Sequence, residues 1–234
     1  MGQADSAILA LAIVASGYLI TLCATPPNPP PEEKDRHGTD RIRWLVGSPA
    51  TVSRRIVMAM AVYHALLIVV PEYAPARMQQ ICPRPQNLNS DLFTWSSVST
   101  ASLLSIFAGA LVRLAAYGGL GEYFTFHLAA PGQLVTTGVY RWIQHPSYTG
   151  VFLLILGETR LFVRWDASPA CFIAGSSLDA VRGLGLGVYV AGFMFGTWTL
   201  MVRVRDEEEM LRQHFGKQWE EWHRATKRFI PGLF

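Results

Sequence analysis

A chain of 234 residues would suit one or two soluble domains, but 50% of its residues are hydrophobic, only 16% are charged, and the net charge is +3. A soluble domain carries about 25% charged residues, so too little charge is present here to cover a water-facing surface. The same balance excludes a disordered chain, and the small net charge gives no nucleic-acid-binding face. The expectation is an all-α, polytopic integral membrane protein.

Ser6 to Ala24 is an uncharged apolar stretch and forms the first expected span. Asp5 stands where a cleaved signal peptide would carry basic residues, so the segment reads as a retained anchor. Met1-Gly2-Gln3-Ala4-Asp5-Ser6 also fits a myristoylation pattern, which a span starting at once makes redundant. Pro26 to Pro31 and the charged run Glu32 to Arg43 read as an extended, solvated spacer.

Ile56 to Val70, closed by Pro71, is a second span, and Trp95 to Tyr117 a third with Arg113 near its end. Val151 to Val163 is a short fourth containing Glu158 and Arg160. Ser168 to Asp179 serves as the turn of a helical hairpin, and Gly183 to Val202 is a Gly-rich fifth span. About five crossings result, since a span needs roughly 20 mostly apolar residues. Charges inside spans are usually paired, which predicts an Arg113–Glu158 pair. His64, mid-span, reads as packed between helices.

Six basic residues flank the first two spans (Lys34, Arg36, Arg41, Arg43, Arg54, Arg55) and seven lie in the tail (Arg203, Arg205, Arg212, Lys217, Arg224, Lys227, Arg228). The positive-inside rule places both regions in the cytosol. Cys82 and Cys171 then share the opposite side, where a disulfide can persist. Two buried free thiols are the alternative, and no cysteine spacing signals a metal.

Polar residues that can carry chemistry gather after position 112. Residues 131–150 read PGQLVTTGVYRWIQHPSYTG, a polar loop running into the fourth span. Pro146 disfavours helix at His145 and can begin the next helix itself. Its first amides can receive an anionic group. Interface anchoring by Tyr140 and Tyr148 is the competing reading. After the fifth span, Arg203 and Glu207 are four apart and share a helical face. Met210, Leu211, Phe215, Trp219, Trp222 and Phe229 continue an amphipathic pattern, expected as a cytosolic helix lying on the bilayer surface or folded back on the spans. A salt-bridged surface helix and a functional one both fit that pattern.

Four segments carry a resemblance to a known family. Leu120-Gly121-Glu122-Tyr123-Phe124-Thr125 looks like an LGxxFT segment, and Leu134 to Gly150 is similar to the signature LVxxGxYxxxRHPxYxG. Arg203, Glu207, Glu208, Leu211, Phe215 and Gly216 match RxxxEExxLxxxFG, and Arg228 to Gly232 looks like RxIPG. In this order they resemble the isoprenylcysteine carboxyl methyltransferase family, over about half the chain. The resemblance implies S-adenosyl-L-methionine as methyl donor, a C-terminal prenylated cysteine as acceptor, and a multi-span endoplasmic reticulum enzyme with a cytosolic active site in membrane lipid. Carried over, the cofactor contacts fall on Gln133, Leu134, Val135, Tyr140, His145, Pro146, Ser147, Tyr148 and Glu207. The acceptor carboxylate falls on Arg203. Gln144 stands where many members have Arg. Residues 1–112 are then an N-terminal membrane region and 113–234 the catalytic region. The rival readings are a phosphatidylethanolamine-type N-methyltransferase, with Glu208 as the unassigned acid, a sterol-type reductase, for which no GxGxxG is present, and a transporter or scaffold.

Overall fold

Apolar runs with few interior breakers fold into long helices, and helices make up nearly all regular structure among the described residues. The computed structural model describes residues 2–38, 40–41 and 47–230. The main elements are α1 (Gln3–Cys23), α2 (Ser48–Tyr73), α3 (Ser97–Leu120), α4 (Pro146–Glu158), α5 (Gly175–Phe215) and α6 (Lys217–Ala225). Among the described residues, four helical segments are long and apolar enough to cross a membrane: Gln3–Cys23, Ser48–Tyr73, Ser97–Tyr123 and Leu184–Phe215. The protein is an all-α polytopic membrane protein.

Helix ends follow local chemistry. The Ser96 hydroxyl accepts the Val98 and Ser99 amides, each at 3.1 Å, while Ser99 Oγ accepts the Ser96 amide at 3.0 Å. This reciprocal cap starts α3 at Ser97, two residues after the expected Trp95. Pro71 lies inside α2 rather than closing it. It sits in the last turn, where a lost hydrogen bond and a shifted carbonyl cost least. The expected short fourth span is not among the four long apolar segments: its residues form the 13-residue α4 and a five-residue π-helical turn, Thr159–Val163.

The largest departure from expectation concerns the fifth span. It does not end at Val202 with a separate interfacial helix after it, because α5, 41 residues in all, continues to Phe215. No Gly or Pro interrupts residues 197–215, and Val202, Arg203 and Val204 are buried in the helix. Gly216, at φ +53°, then breaks the chain and lets α6 start. The amphipathic region is therefore the end of α5 plus α6.

Two compact units form, each from three stretches of chain. The first draws its described residues from Met1–Leu22, Ser53–Phe107 and Leu153–Met194. Leu9, Ile13, Leu67, Ile106, Leu161 and Phe162 are among its fully buried side chains. Gly157 lets α4 approach α3, since a Cβ there would lie 2.6 Å from the Ser102 carbonyl. Cys82 and Cys171 are joined in a disulfide, so the bridge holds and the free-thiol alternative falls. His64 bonds the Leu92 carbonyl at 2.9 Å and stacks on Phe93 at 4.2 Å, the packing role expected of it.

The second unit draws its described residues from Cys23–Val52, Ala108–Phe152 and Phe195–Phe234. Its apolar cluster is Leu128, Met210, Leu211 and Trp219, with Leu134, Phe215 and Trp222 packed on it. The expected Arg113–Glu158 pair is not made. Arg113 donates instead to the Cys23 carbonyl at 2.7 Å and to Ser147 Oγ at 2.7 Å, and it faces the rings of Tyr117 and Phe126. Neutral oxygens and ring faces satisfy this buried guanidinium.

Candidate active site

The site belongs to the second unit and begins with the loop before α4. Gly138, at φ +60°, turns the chain into the short helix Gly138–Arg141. Pro146 starts α4, so His145 is the last residue outside it. The tail then locks this point, with the Gln144 and His145 amides donating to the Lys227 and Arg228 carbonyls at 2.8 and 2.9 Å.

That pairing delivers Arg228 to Glu208, whose oxygens accept its Nε and Nη2 at 2.8 and 2.9 Å. His145 Nε2 lies 3.2 Å from the same carboxylate. Its Nδ1 is buried without a hydrogen-bond partner and lies 3.8 Å from Glu207 Oε1. Tyr148, one turn into α4, donates its hydroxyl to Glu207 Oε2 at 2.6 Å. Arg203 Nε donates to that Tyr148 hydroxyl at 3.3 Å, and Arg203 Nη2 donates to the Phe126 carbonyl at 2.8 Å.

Arg203 also meets a residue the sequence did not single out. Its Nη1 lies 2.5 Å from Asp40 Oδ1, with both side chains only 7% exposed. Asp40 Oδ2 accepts the Leu128 amide at 3.3 Å, and the next residue, Arg41, donates Nε to Asp206 at 2.9 Å. The Asp206 hydrogen bond and charge raise the affinity of Arg41 for its proton further. This part of the expected solvated spacer is tied into the site. Asn28 is also fixed, its amide donating to the Gly121 and Phe124 carbonyls.

Of the residues singled out in the sequence, His145, Tyr148, Arg203 and Glu207 come together. Tyr140 is buried, with its hydroxyl 3.4 Å from the Ala116 carbonyl. Burial, followed by the charge of Glu207, pushes its phenol well above the ordinary range. Pro146 is buried at the helix start, and Ser147 is committed to Arg113. Leu134 packs in the apolar cluster, Val135 is half-buried and Gln133 is exposed. No described contact links these three to Glu207. Sequence reasoning missed Asp40, the Glu208–Arg228 pair and the part played by Gln144. Gln144 is buried, donates to the His223 carbonyl at 3.0 Å and to Thr226, and accepts from His223 Nδ1 at 2.8 Å.

Beside Glu208, on the face of α5 away from Arg203 and Glu207, runs a groove of about 480 Å³ lined by Arg205, Arg212, Trp219, His223 and Arg228 among others. Burial, the first cause, holds the His223 imidazole below its ordinary proton affinity. His127 is lowered similarly by burial and then by Arg36.

Helices long and apolar enough to cross a membrane, with a polar cluster built from a His-Pro loop, the last long helix and the tail, define the class: an integral membrane protein that carries a polar side-chain cluster. The model of the isoprenylcysteine carboxyl methyltransferase family matches residues 101–179, which include the loop and α4 but stop before Arg203. A protein-S-isoprenylcysteine O-methyltransferase of Dictyostelium discoideum is 28% identical over 131 residues, 53% of this chain and 46% of its own length. One of Tribolium castaneum is 31% identical over 98 residues, 42% and 27% of the two chains. A probable one of Oryza sativa subsp. indica is 27% identical over 139 residues, 57% and 61%. On these matches the chain is similar to the isoprenylcysteine carboxyl methyltransferase family over its loop and α4. It spans about half the length of the curated relatives it matches.

Proposed function

We propose that this protein transfers a methyl group from S-adenosyl-L-methionine to the C-terminal carboxylate of prenylated cysteine, at the cytosolic face of the endoplasmic reticulum membrane, with the catalytic region in residues 113–234. The observation that carries the reading is the chain of contacts from His145 and Tyr148, in the family's loop motif, to Glu207 and Arg203 on α5. The names of the relatives supply the acceptor class.

The residues present fit the donor. The unpartnered His145 Nδ1 and the partly exposed Glu207 carboxylate face one another, and both can accept hydrogen bonds from amino or hydroxyl groups. Nearby, Phe229 supplies a ring 5.8 Å from the imidazole. When bound, S-adenosylmethionine supplies an electrophilic methyl group on a sulfonium, and transfer leaves the electron pair of the broken carbon–sulfur bond on sulfur.

The protein's own residues then have three tasks. An acceptor carboxylate is already ionised at neutral pH, since its ordinary pKa is about 3–4, so no base has to remove a proton. Arg203 orients it, because a planar guanidinium fixes both position and angle of a carboxylate. Holding the reactants in attack geometry contributes about 7–11 kcal/mol in well-oriented systems. The tail packed over His145 and Glu208 excludes water and strengthens each of these interactions.

Methylation of a lipid amine would instead require a base. Glu208, the unassigned acid, is held by Arg228 and His145, which makes it a poor one. Offering the purified protein labelled S-adenosylmethionine with a farnesylcysteine analogue and with phosphatidylethanolamine vesicles separates the readings. Label is expected in the first acceptor, and label confined to the lipid would overturn the proposal.

A further inference from the structure

Arg203 is the residue assigned to the acceptor carboxylate, yet each nitrogen of its guanidinium already meets an oxygen of the protein. Nε meets Tyr148, Nη2 the Phe126 carbonyl and Nη1 the Asp40 carboxylate. Of these three partners only Asp40 is an anion, and only Asp40 comes from the stretch between α1 and α2. A carboxylate that grips Arg203 end-on takes Nη1 together with Nη2. Asp40 holds Nη1, whereas the Nε–Nη2 edge is held by the neutral oxygens of Tyr148 and Phe126.

We propose that Asp40 is a resident carboxylate ligand of Arg203 that competes with the acceptor, so that acceptor binding is an exchange of one carboxylate for another. The inference rests on the function proposed above. The buried guanidinium keeps one counter-ion in each state, which a buried cation requires. Asp40 is anchored on both sides. The His37 amide donates to the Leu128 carbonyl at 2.7 Å, the Leu128 amide donates to Asp40, and Arg41 holds the buried Asp206. When it leaves Arg203, its carboxylate stays tethered within reach.

Reaction then reverses the competition. Methyl transfer converts the acceptor carboxylate into a neutral ester, which cannot serve as counter-ion to Arg203. Asp40 regains the guanidinium and displaces the product. The apparent affinity of a ligand falls by the fraction of protein in the competent state, and minor states are commonly populated at about 10% or less, so the competition weakens acceptor binding by about tenfold or more.

The test compares the full chain with its Asp40→Asn variant, using S-adenosylmethionine, N-acetyl-S-farnesylcysteine as acceptor and its methyl ester as product inhibitor. Asp40→Asn is expected to lower the acceptor KM by about tenfold or more. It is also expected to make the ester a stronger inhibitor, with cofactor binding unchanged. Arg41→Gln, at an exposed guanidinium one residue away, loosens the anchor without touching Arg203. It should shift KM in the same direction by less, which keeps the test valid should Asp40→Asn fold poorly. A raised KM with unchanged inhibition by ester would show that Asp40 merely orients Arg203, and would overturn this proposal alone. No transfer by the unsubstituted protein would overturn both this proposal and the function on which it rests.

Discussion

The Tyr148 hydroxyl donates to Glu207 at 2.6 Å while accepting from Arg203 at 3.3 Å, so one oxygen links the residue assigned to the donor with the residue assigned to the acceptor. Tyr148→Phe removes that oxygen and little else. Hydrogen bonds to charged groups contribute about 1.5–3 kcal/mol, so S-adenosylmethionine affinity should fall by about ten- to a hundredfold. Calorimetric titration of the folded variant measures it, and unchanged affinity would remove Tyr148 from the donor site.

Gln144, the departure from the motif that its loop resembles, staples the tail. Gln144→Ala leaves the His223 and Thr226 carbonyls without their donor. Leaving a buried polar group unsatisfied costs about 1–3 kcal/mol. The same joint makes stability depend on pH. Burial depresses the His223 pKa below 6.5, so the folded protein binds fewer protons at this site than the unfolded chain. This contribution is fully present above pH 6.5 and is lost as pH falls below it. Thermal unfolding between pH 5 and 8 should show the loss on the acid side, and a profile that does not weaken there would contradict it.

Gly150 is the contact point of α4 on α3 in the second unit. A Cβ there would lie 2.7 Å from the Gly109 carbonyl and 2.8 Å from Arg113 Cβ. Gly150→Ala should destabilise by about 1–3 kcal/mol through overpacking. Gly118→Ala is the control, because its Cβ meets nothing within 4 Å. Removing glycine from a helix there should be neutral or stabilising by up to about 1 kcal/mol. Equal melting temperatures for the two variants would argue against the close helix contact.

Reduction should change the thiol count in a defined way. With Cys82 and Cys171 bridged and Cys23 free, denatured but unreduced protein should label at Cys23 alone, and reduced protein at all three cysteines. Labelling of all three before reduction would rule out the bridge.

Much of this architecture was legible because membrane helices have a simple requirement, a long apolar run. The first span needed little beyond hydropathy, and the four-residue spacing of Arg203 and Glu207 correctly placed both on one helical face. The end of α5 was not legible. Hydropathy falls at Arg203, but backbone hydrogen bonding continues until Gly216, so a change in polarity was mistaken for a change in structure. Asp40 was missed for a different reason. An ion pair between residues separated by most of the chain has no periodicity, and a carboxylate within a charged run resembles any solvated acid until its partner is seen. Arg113 illustrates the converse error: a buried charge suggested an ionic partner, whereas a carbonyl, a hydroxyl and aromatic faces satisfy it. Gln144 looked like a defect in a motif, and only the returning tail gives it a purpose.

The most direct test of the account is the chemical nature of the methylated product. The purified protein, labelled S-adenosylmethionine and a farnesylcysteine analogue should yield a product that releases labelled methanol in mild base, as a carboxyl methyl ester does. Arg203→Ala should abolish that release while still binding the donor. Label that resists base, or release undiminished in Arg203→Ala, would contradict the assignment of Arg203 as the clamp for an acceptor carboxylate.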